Sequence, residues 1–228
     1  MYDALSELLN IDVKGLGRYF EERVLLQRVE RPFVIRLDGV RFGRELSGFK
    51  WPRDRVVHEA LLKASKALME LYSSDYAYVV SDELNIFVTK TNPYGGRVFK
   101  IVSEASGLAS AIATRELGKV LYFDARVIKL NDDCEDLLNY IKYRVRVGLN
   151  NYHVELAQRR GLIPLNNTPH LPEVLRILGI NTTWEALGTM LVKVPVKLSK
   201  EVGGRVVEYV RRRIVEVNPL EFINRHGC

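Results

Sequence analysis

The sequence predicts an α+β protein of the ferredoxin-like (βαββαβ) kind, and three observations predict it. Short runs of β-branched and aromatic residues recur at positions 33–38, 76–80, 84–89 and 120–128. Stretches with apolar residues every three or four places separate the first run from the second and the third from the fourth. Only Ser81, Asp82 and Glu83 stand between the second and third runs, the signature of a tight hairpin. The order strand, helix, strand, strand, helix, strand is that of a split βαβ unit, an antiparallel sheet with helices on one face.

Before the first strand, Leu5, Leu8 and Leu9, then Leu16, Tyr19 and Phe20, recur at helical spacing around Gly15 and Gly17, predicting two short helices with the break at the glycines. Pro32 opens the first strand and Gly39 closes it, which leaves Asp38 at its exit. Asp54 can cap the first long helix, whose Val57, Leu61, Ala64, Leu68 and Leu71 form one apolar stripe. In the second, over 99–117, Ala105, Gly107, Ala109, Ala111 and Ala113 would let the helix lie close on the sheet before Gly118 stops it. Residues 131–133 can cap a third helix running to about Gln158, ended by Gly161 and Pro164. The remainder predicts a strand over 189–196 and a helix from Ser199 to Arg213. With no repeat or low-complexity linker, residues 1–228 read as one compact unit: N-terminal helices (1–31), a core (32–160) and a C-terminal extension (161–228).

Composition narrows the class. The chain has 228 residues, 47% hydrophobic and 27% charged, enough to bury a core and too apolar for a disordered chain. The 34 Lys and Arg against 28 Asp and Glu give +6, which permits a polyanionic partner without requiring one. Two cysteines, Cys134 and Cys228, exclude a disulfide-stapled miniprotein and make a reducing compartment the default. No apolar run is long enough to span a membrane, and Asp3 and Glu7 interrupt what would be a signal peptide, so a cytoplasmic protein is expected. His58, His153, His170 and His226 lack ligand spacing, and His58 is expected at solvent or against a helix neighbour.

Three carboxylates carry the chemistry. If the first strand neighbours the hairpin, Asp38, Asp82 and Glu83 converge at one end of the sheet and repel unless a cation intervenes. Oxygen ligands suit Mg²⁺, and two such ions about 3.5–4 Å apart are a usual device of phosphoryl transfer. Successive strand side chains face opposite ways, so Asp82 and Glu83 can both serve one site only if the hairpin tip breaks the alternation, and Asp82 is the preferred of the two. Asp-Gly and Ser-Asp-Glu are also ordinary turn sequences, so the turn reading stands beside the metal reading. Arg97 and Lys100 start the second long helix, where a triphosphate could rest or where the pair could simply be solvated. Lys142, Arg144, Arg146, Arg159, Arg160 and Arg211 to Arg213 are candidates for RNA backbone contacts, or again a solvated face.

Arg36-Leu37-Asp38-Gly39 with Phe42, Ser81-Asp82-Glu83, the stretch from Arg97 to Ser103, and Phe123-Asp124-Ala125-Arg126-Val127 occur in that order. From about Leu16 to Asn151 the chain thereby resembles the tRNA-His guanylyltransferase family, including its Thg1-like members. The resemblance implies a polymerase-like palm in which Asp38, the Gly39 carbonyl and Asp82 hold two Mg²⁺ with Glu83 beside them, and Arg97 and Lys100 meet a triphosphate. Ser81, Arg126 and Asn151 also match, and Lys50 can stand in for a family lysine replaced by Trp51. The implied reaction is attack by the 3′-hydroxyl of an incoming nucleotide, GTP above all, on a tRNA 5′ end carrying a triphosphate or adenylylated by ATP. A homotetramer is implied as well. Departures at Gly43, Trp51, Val145, Val147, Leu149 and Leu187 favour templated 5′-end repair over addition of a single guanosine. The competing readings are a non-catalytic RRM-like RNA-binding module, with Tyr76, Tyr78 and Phe87 as its platform, and a degenerate family member that binds tRNA or nucleotide without turnover.

Overall fold

The computed structural model describes residues 2–23, 28–131, 134–203 and 205–225. Helices α1 (Tyr2–Asn10) and α2 (Val13–Glu21) break at Ile11 and Asp12 rather than at the glycines. The Asp12 carboxylate accepts from the Gly15 N–H at 2.9 Å and so caps α2, which sets the break. Then follow β1 (Phe33–Gly39), the single turn α3 (Phe42–Glu45), α4 (Arg55–Leu71), β2 (Tyr76–Val80), β3 (Glu83–Val88), α5 (Val98–Leu117) and β4 (Phe123–Lys129). The caps are those expected: the Asp54 carboxylate accepts from Val56 N–H at 2.8 Å, and Gly118 ends α5 at a φ of +64°. Within α5, Ala105, Ala109 and Ala113 face the core, while Gly107 and Ala111 are exposed.

Strand order is β4-β1-β3-β2, continued by β5 (Thr189–Val202) and β6 (Arg205–Val217), every neighbour antiparallel. Strand β1 runs toward Asp38, and β3 and β4 start from that same end. Helices α4 and α5 cover one face over Ile35, Leu37, Val79 and Ile86. The other face is covered too: α6 (Cys134–Arg159) packs Tyr140, Ile141, Val145 and Leu149 against Val34, Tyr78 and Phe87. Helices therefore lie on both faces, which corrects the single-face expectation. It also removes the RRM-like platform, because Tyr78 and Phe87 are buried beneath α6 and Tyr76 packs on Phe222. The expected cap of α6 at 132–133 lies outside the described residues. Of the two cysteines, Cys134 is disulfide-bonded and Cys228 lies outside the described residues.

The C-terminal extension differs most. Residues 199–213, expected as a helix, lie in a two-stranded ribbon paired from Met190↔Val217 to Val202↔Arg205, turning at Gly203 with a φ of +58°. Its run of Val, Tyr and Ile suits a strand, and a glycine pair between two such runs is hairpin chemistry. Helices α7 (Leu171–Leu178), α8 (Trp184–Leu187) and α9 (Pro219–Arg225) complete the chain, and no helix among the described residues is long and apolar enough to cross a membrane.

Helix α6 comes close to β2 at Gly148, where a Cβ would stand 2.5 Å from Cγ2 of the buried Val80. In a free helix Gly→Ala stabilises by about 1 kcal/mol. Here the overlap with a stiff β-branched neighbour costs about 1–3 kcal/mol and reverses the sign. Gly148→Ala should therefore lower the urea midpoint; an unchanged or raised midpoint would show that α6 stands further from the sheet.

Candidate active site at the carboxylate end of the sheet

Strand register assembles the site. Asp38 is paired across β1 and β3 with Glu83 and across β1 and β4 with Asp124, so these three side chains share one face at one end of the sheet. The β2-β3 turn supplies Asp82. Ser81 takes a φ of +55°, which breaks the strand alternation, and the Gly39 N–H donates to the Asp82 carbonyl at 3.1 Å, stitching the two acidic turns together. Gly39 is required sterically: a Cβ would fall 2.5 Å from the Phe42 ring.

The electrostatics are those of crowded anions. Burial, then the charges of Asp82 and Asp124, hold the Asp38 carboxyl above its ordinary range. Burial likewise raises Asp82, with the Glu83 charge adding to it. Glu83 is engaged otherwise. One oxygen accepts from the guanidinium of Arg144, whose side chain is 6% exposed, while Oε2 is buried without a hydrogen-bond partner. Burial pushes the Glu83 carboxyl up against the opposing pull of Arg144 and Arg36. Arg36, on the Asp38 face of β1, pairs with Glu21 at 2.6 Å, and Tyr140 donates to Asn85 at 2.8 Å. Asp124 pairs with Arg126 at 2.7 Å.

Beside Asp82 opens a cavity of about 190 Å³ lined by Phe42, Lys50, Trp51, Arg53, His58, Ser81, Glu155 and Trp184. Lys50 and Ser81 are both among its lining residues. Lys50 is largely exposed, with its Nζ 3.6 Å from Glu185. Asn151 is exposed on α6, two turns beyond Arg144 and on its stripe. Arg97 and Lys100 are not brought to the carboxylates. They begin α5 at the opposite end of the sheet, about 20 Å away at the rise of a strand. There the Arg97 Nε donates to the Tyr94 carbonyl at 3.1 Å and Lys100 lies 3.5 Å from Glu104.

Three basic candidates for RNA contact turn inward or are tied locally: Arg144 to Glu83, Lys142 to Glu7 at 2.9 Å, and Arg146, which is buried. Glu83 and Glu7 lie on distant segments, which spacing along a helix does not reveal. His58, expected at solvent or a helix neighbour, is buried; its Nε2 lies 2.9 Å from Thr189 Oγ1 and its ring 4.6 Å from that of Trp184. Burial lowers its pKa to about 4, so the imidazole is neutral at physiological pH. Arg53, His58 and Trp184 were missed as site residues. The only signal was that Arg53 shares a short Trp-Pro-Arg-Asp loop with Trp51 and Asp54.

A family model for tRNA-His guanylyltransferase matches residues 16–131, just over half of the chain. The chain belongs to the tRNA-His guanylyltransferase family. Membership makes it a nucleotidyltransferase of tRNA 5′ ends. Among solved structures it is similar to a bacterial tRNA-His guanylyltransferase (Thg1)-like protein in complex with ATP, at 22% identity and TM-score 0.67, covering 93% of this chain and 95% of that one. A bacterial Thg1-like protein in complex with GTP aligns at 22% identity and TM-score 0.62, over 86% and 89% of the chains. The tRNA-His guanylyltransferase of Saccharomyces cerevisiae aligns at 19% identity and TM-score 0.58, over 78% and 92%. These likenesses extend the shared fold past the matched segment to nearly the whole chain. A search of curated proteins finds no match.

Arg144→Met should destabilise the protein by about 3–5 kcal/mol, because it strands the Glu83 charge in the interior, and adding Glu83→Gln should restore most of the loss. Denaturation of the single and double variants checks this; equal stability of Arg144→Met and the parent would remove the ion pair from the fold's support.

A second expectation concerns pH. Ionisation of Asp38 works against the folded state because its pKa is raised there. Without divalent cations, Asp38→Asn should be more stable than the parent at pH 7. The gain should shrink as pH falls through the raised pKa and vanish near about pH 3, where the carboxyl is protonated folded and unfolded. A gain independent of pH would show that repulsion is not its source.

Proposed function

We propose that this protein extends tRNA 5′ ends in the 3′-to-5′ direction, in a Mg²⁺-dependent reaction centred on Asp38 and Asp82, and that it completes ends against a template rather than adding one guanosine. The observation that carries the reading is the meeting of two half-buried carboxylates from separate turns, each held above its ordinary pKa. Such an arrangement is unfavourable for a turn and favourable for a cation site.

The residues present fit Mg²⁺. No set of three ligating side chains gathers among the described residues, but this ion takes one or two carboxylates together with waters and substrate phosphates. Asp38, Asp82 and the Gly39 carbonyl would hold it, with Glu83 held beside them by Arg144. When bound, the ions would offset phosphate charge and activate the attacking hydroxyl. Ser81 and Lys50 line the adjacent cavity and would contact the nucleotide, with Asn151 further along α6. Relatives solved with ATP and with GTP support nucleoside triphosphates as substrates.

The exposed Arg159 and Arg160 at the end of α6 and Arg211 and Arg213 of the ribbon are the basic candidates that remain for the RNA backbone, Arg212 being 2.8 Å from Asp75. Departures at Gly43, Trp51 and Leu187 support templated repair over strict tRNA-His selectivity. Leu187 is buried in α8, with its carbonyl accepting from Tyr78, and offers no cation there. A homotetramer in the cytoplasm completes the proposal.

Asp38→Ala and Asp82→Ala should each lower extension of a 5′-truncated tRNA at least about a hundredfold while RNA affinity changes little. Mg²⁺ or Mn²⁺ should raise the melting temperature of the parent more than that of either variant. Retained extension in both variants would defeat the reading.

A further inference from the structure

The cavity beside Asp82 contains a side chain whose hydrogen bonding is unfinished. Arg53 is nine-tenths buried, its side chain 10% exposed. Its Nη1 donates to Glu155 Oε2 at 2.8 Å and to the Pro52 carbonyl at 2.7 Å, while Nε and Nη2 have no acceptor. A buried N–H without a partner is a standing penalty, and two on one side chain call for an acceptor pair. With Nη1 tethered, the remaining Nε–Nη2 edge offers two parallel donors, the geometry that grips two acceptors side by side.

We propose that Arg53 selects guanine over adenine in this cavity by donating from Nε and Nη2 to O6 and N7 of the base. The proposal rests on the cavity's being the nucleotide site. Asp82, one of the two carboxylates on which the proposed reaction centres, lines the cavity. A nucleotide whose phosphates face the carboxylates therefore has its base among Phe42, Trp51 and Trp184, walls that suit a flat aromatic ring. Guanine presents O6 and N7 as adjacent acceptors, whereas adenine sets an amino donor beside N7, which would oppose a guanidinium N–H. Neither free nitrogen of Arg53 is open to solvent in this conformation, so an occupant has to draw the side chain toward the lumen. The bonds through Nη1 limit that movement.

The chain's two tryptophans, Trp51 and Trp184, both line the cavity, so their fluorescence reports its occupancy. Nucleotides are titrated with Mg²⁺ and no RNA. GTP and inosine triphosphate, which keep O6 and N7, should bind alike and at least about tenfold tighter than ATP, 7-deaza-GTP or 2-aminopurine riboside triphosphate. Arg53→Met should erase the difference by weakening GTP while leaving ATP within about threefold. If that variant fails to fold, the analogue series on the unaltered protein decides alone. Binding of 7-deaza-GTP as tight as GTP would overturn the proposal, and so would equal weakening of GTP and ATP in Arg53→Met, the mark of a phosphate contact. If no nucleotide perturbs the tryptophans of the parent protein, the cavity is not the nucleotide site, a separate failure from a cavity that binds purines without discrimination.

Discussion

The pairing of β1 with β3 is the constraint on which the acidic end of this molecule depends. A sheet side chain has a period of two, so a slip of one residue would send Asp38 to the α4-α5 face, into an apolar core with Ile86 and Phe123. Burial fixes the register from both sides. Ile35 and Leu37 are packed under α4 and α5, and Val34 lies under α6. The backbone bond from Gly39 to Asp82 and the fit of Phe42 over Gly39 then lock the end of the strand to the hairpin. Carboxylates distant in the chain meet because hydrophobic packing elsewhere leaves them no other place.

Beneath that acidic end lies a polar layer between the sheet and α6. Arg144 meets Glu83, Tyr140 meets Asn85, Arg36 meets Glu21, and Tyr78 reaches the Leu187 carbonyl at 2.5 Å. Such a layer contributes little net stability compared with an apolar one, since desolvation offsets most of the attraction. Its effect here is orientation. By engaging Glu83, Arg144 would, on the proposed reading, leave Asp38 and Asp82 as the carboxylates that share a cation. The division of labour among three acids thus follows from which one faces a buried arginine.

The central order of strands and helices was readable because its signals are local: the apolar stripe of α4, the Asp54 cap, the Gly118 stop and the three-residue hairpin each speak for themselves. The meeting of Asp38 and Asp82 followed from that order. What could not be read depends on pairs made across long separations. Arg144 and Arg146 look like a solvated basic face until Glu83 and the sheet are placed against them. The first part of β5 reads as a strand over 189–196, but 199–213 reads as a helix, because apolar residues such as 206 and 210 fall four apart, a spacing a strand also satisfies with alternate residues. The cavity joins the loop before α4, the hairpin turn, α6 and α8, so no single stretch of sequence announces it.

Clustered like charges would be a defect in a protein selected for stability alone. Here the same region joins crowded carboxylates, raised in pKa by burial and by one another, to buried arginine donors that lack acceptors. A nucleoside triphosphate with its metal ions answers both. On the proposed reading, the cations would relieve Asp38 and Asp82, and the base acceptors would satisfy Arg53. Each contact is absent from the unfolded chain, so the free energy of binding adds to folding stability in proportion to occupancy. On this reasoning occupancy would stabilise the carboxylate end most. The surrounding sheet, buried on both faces, keeps the geometry during that exchange.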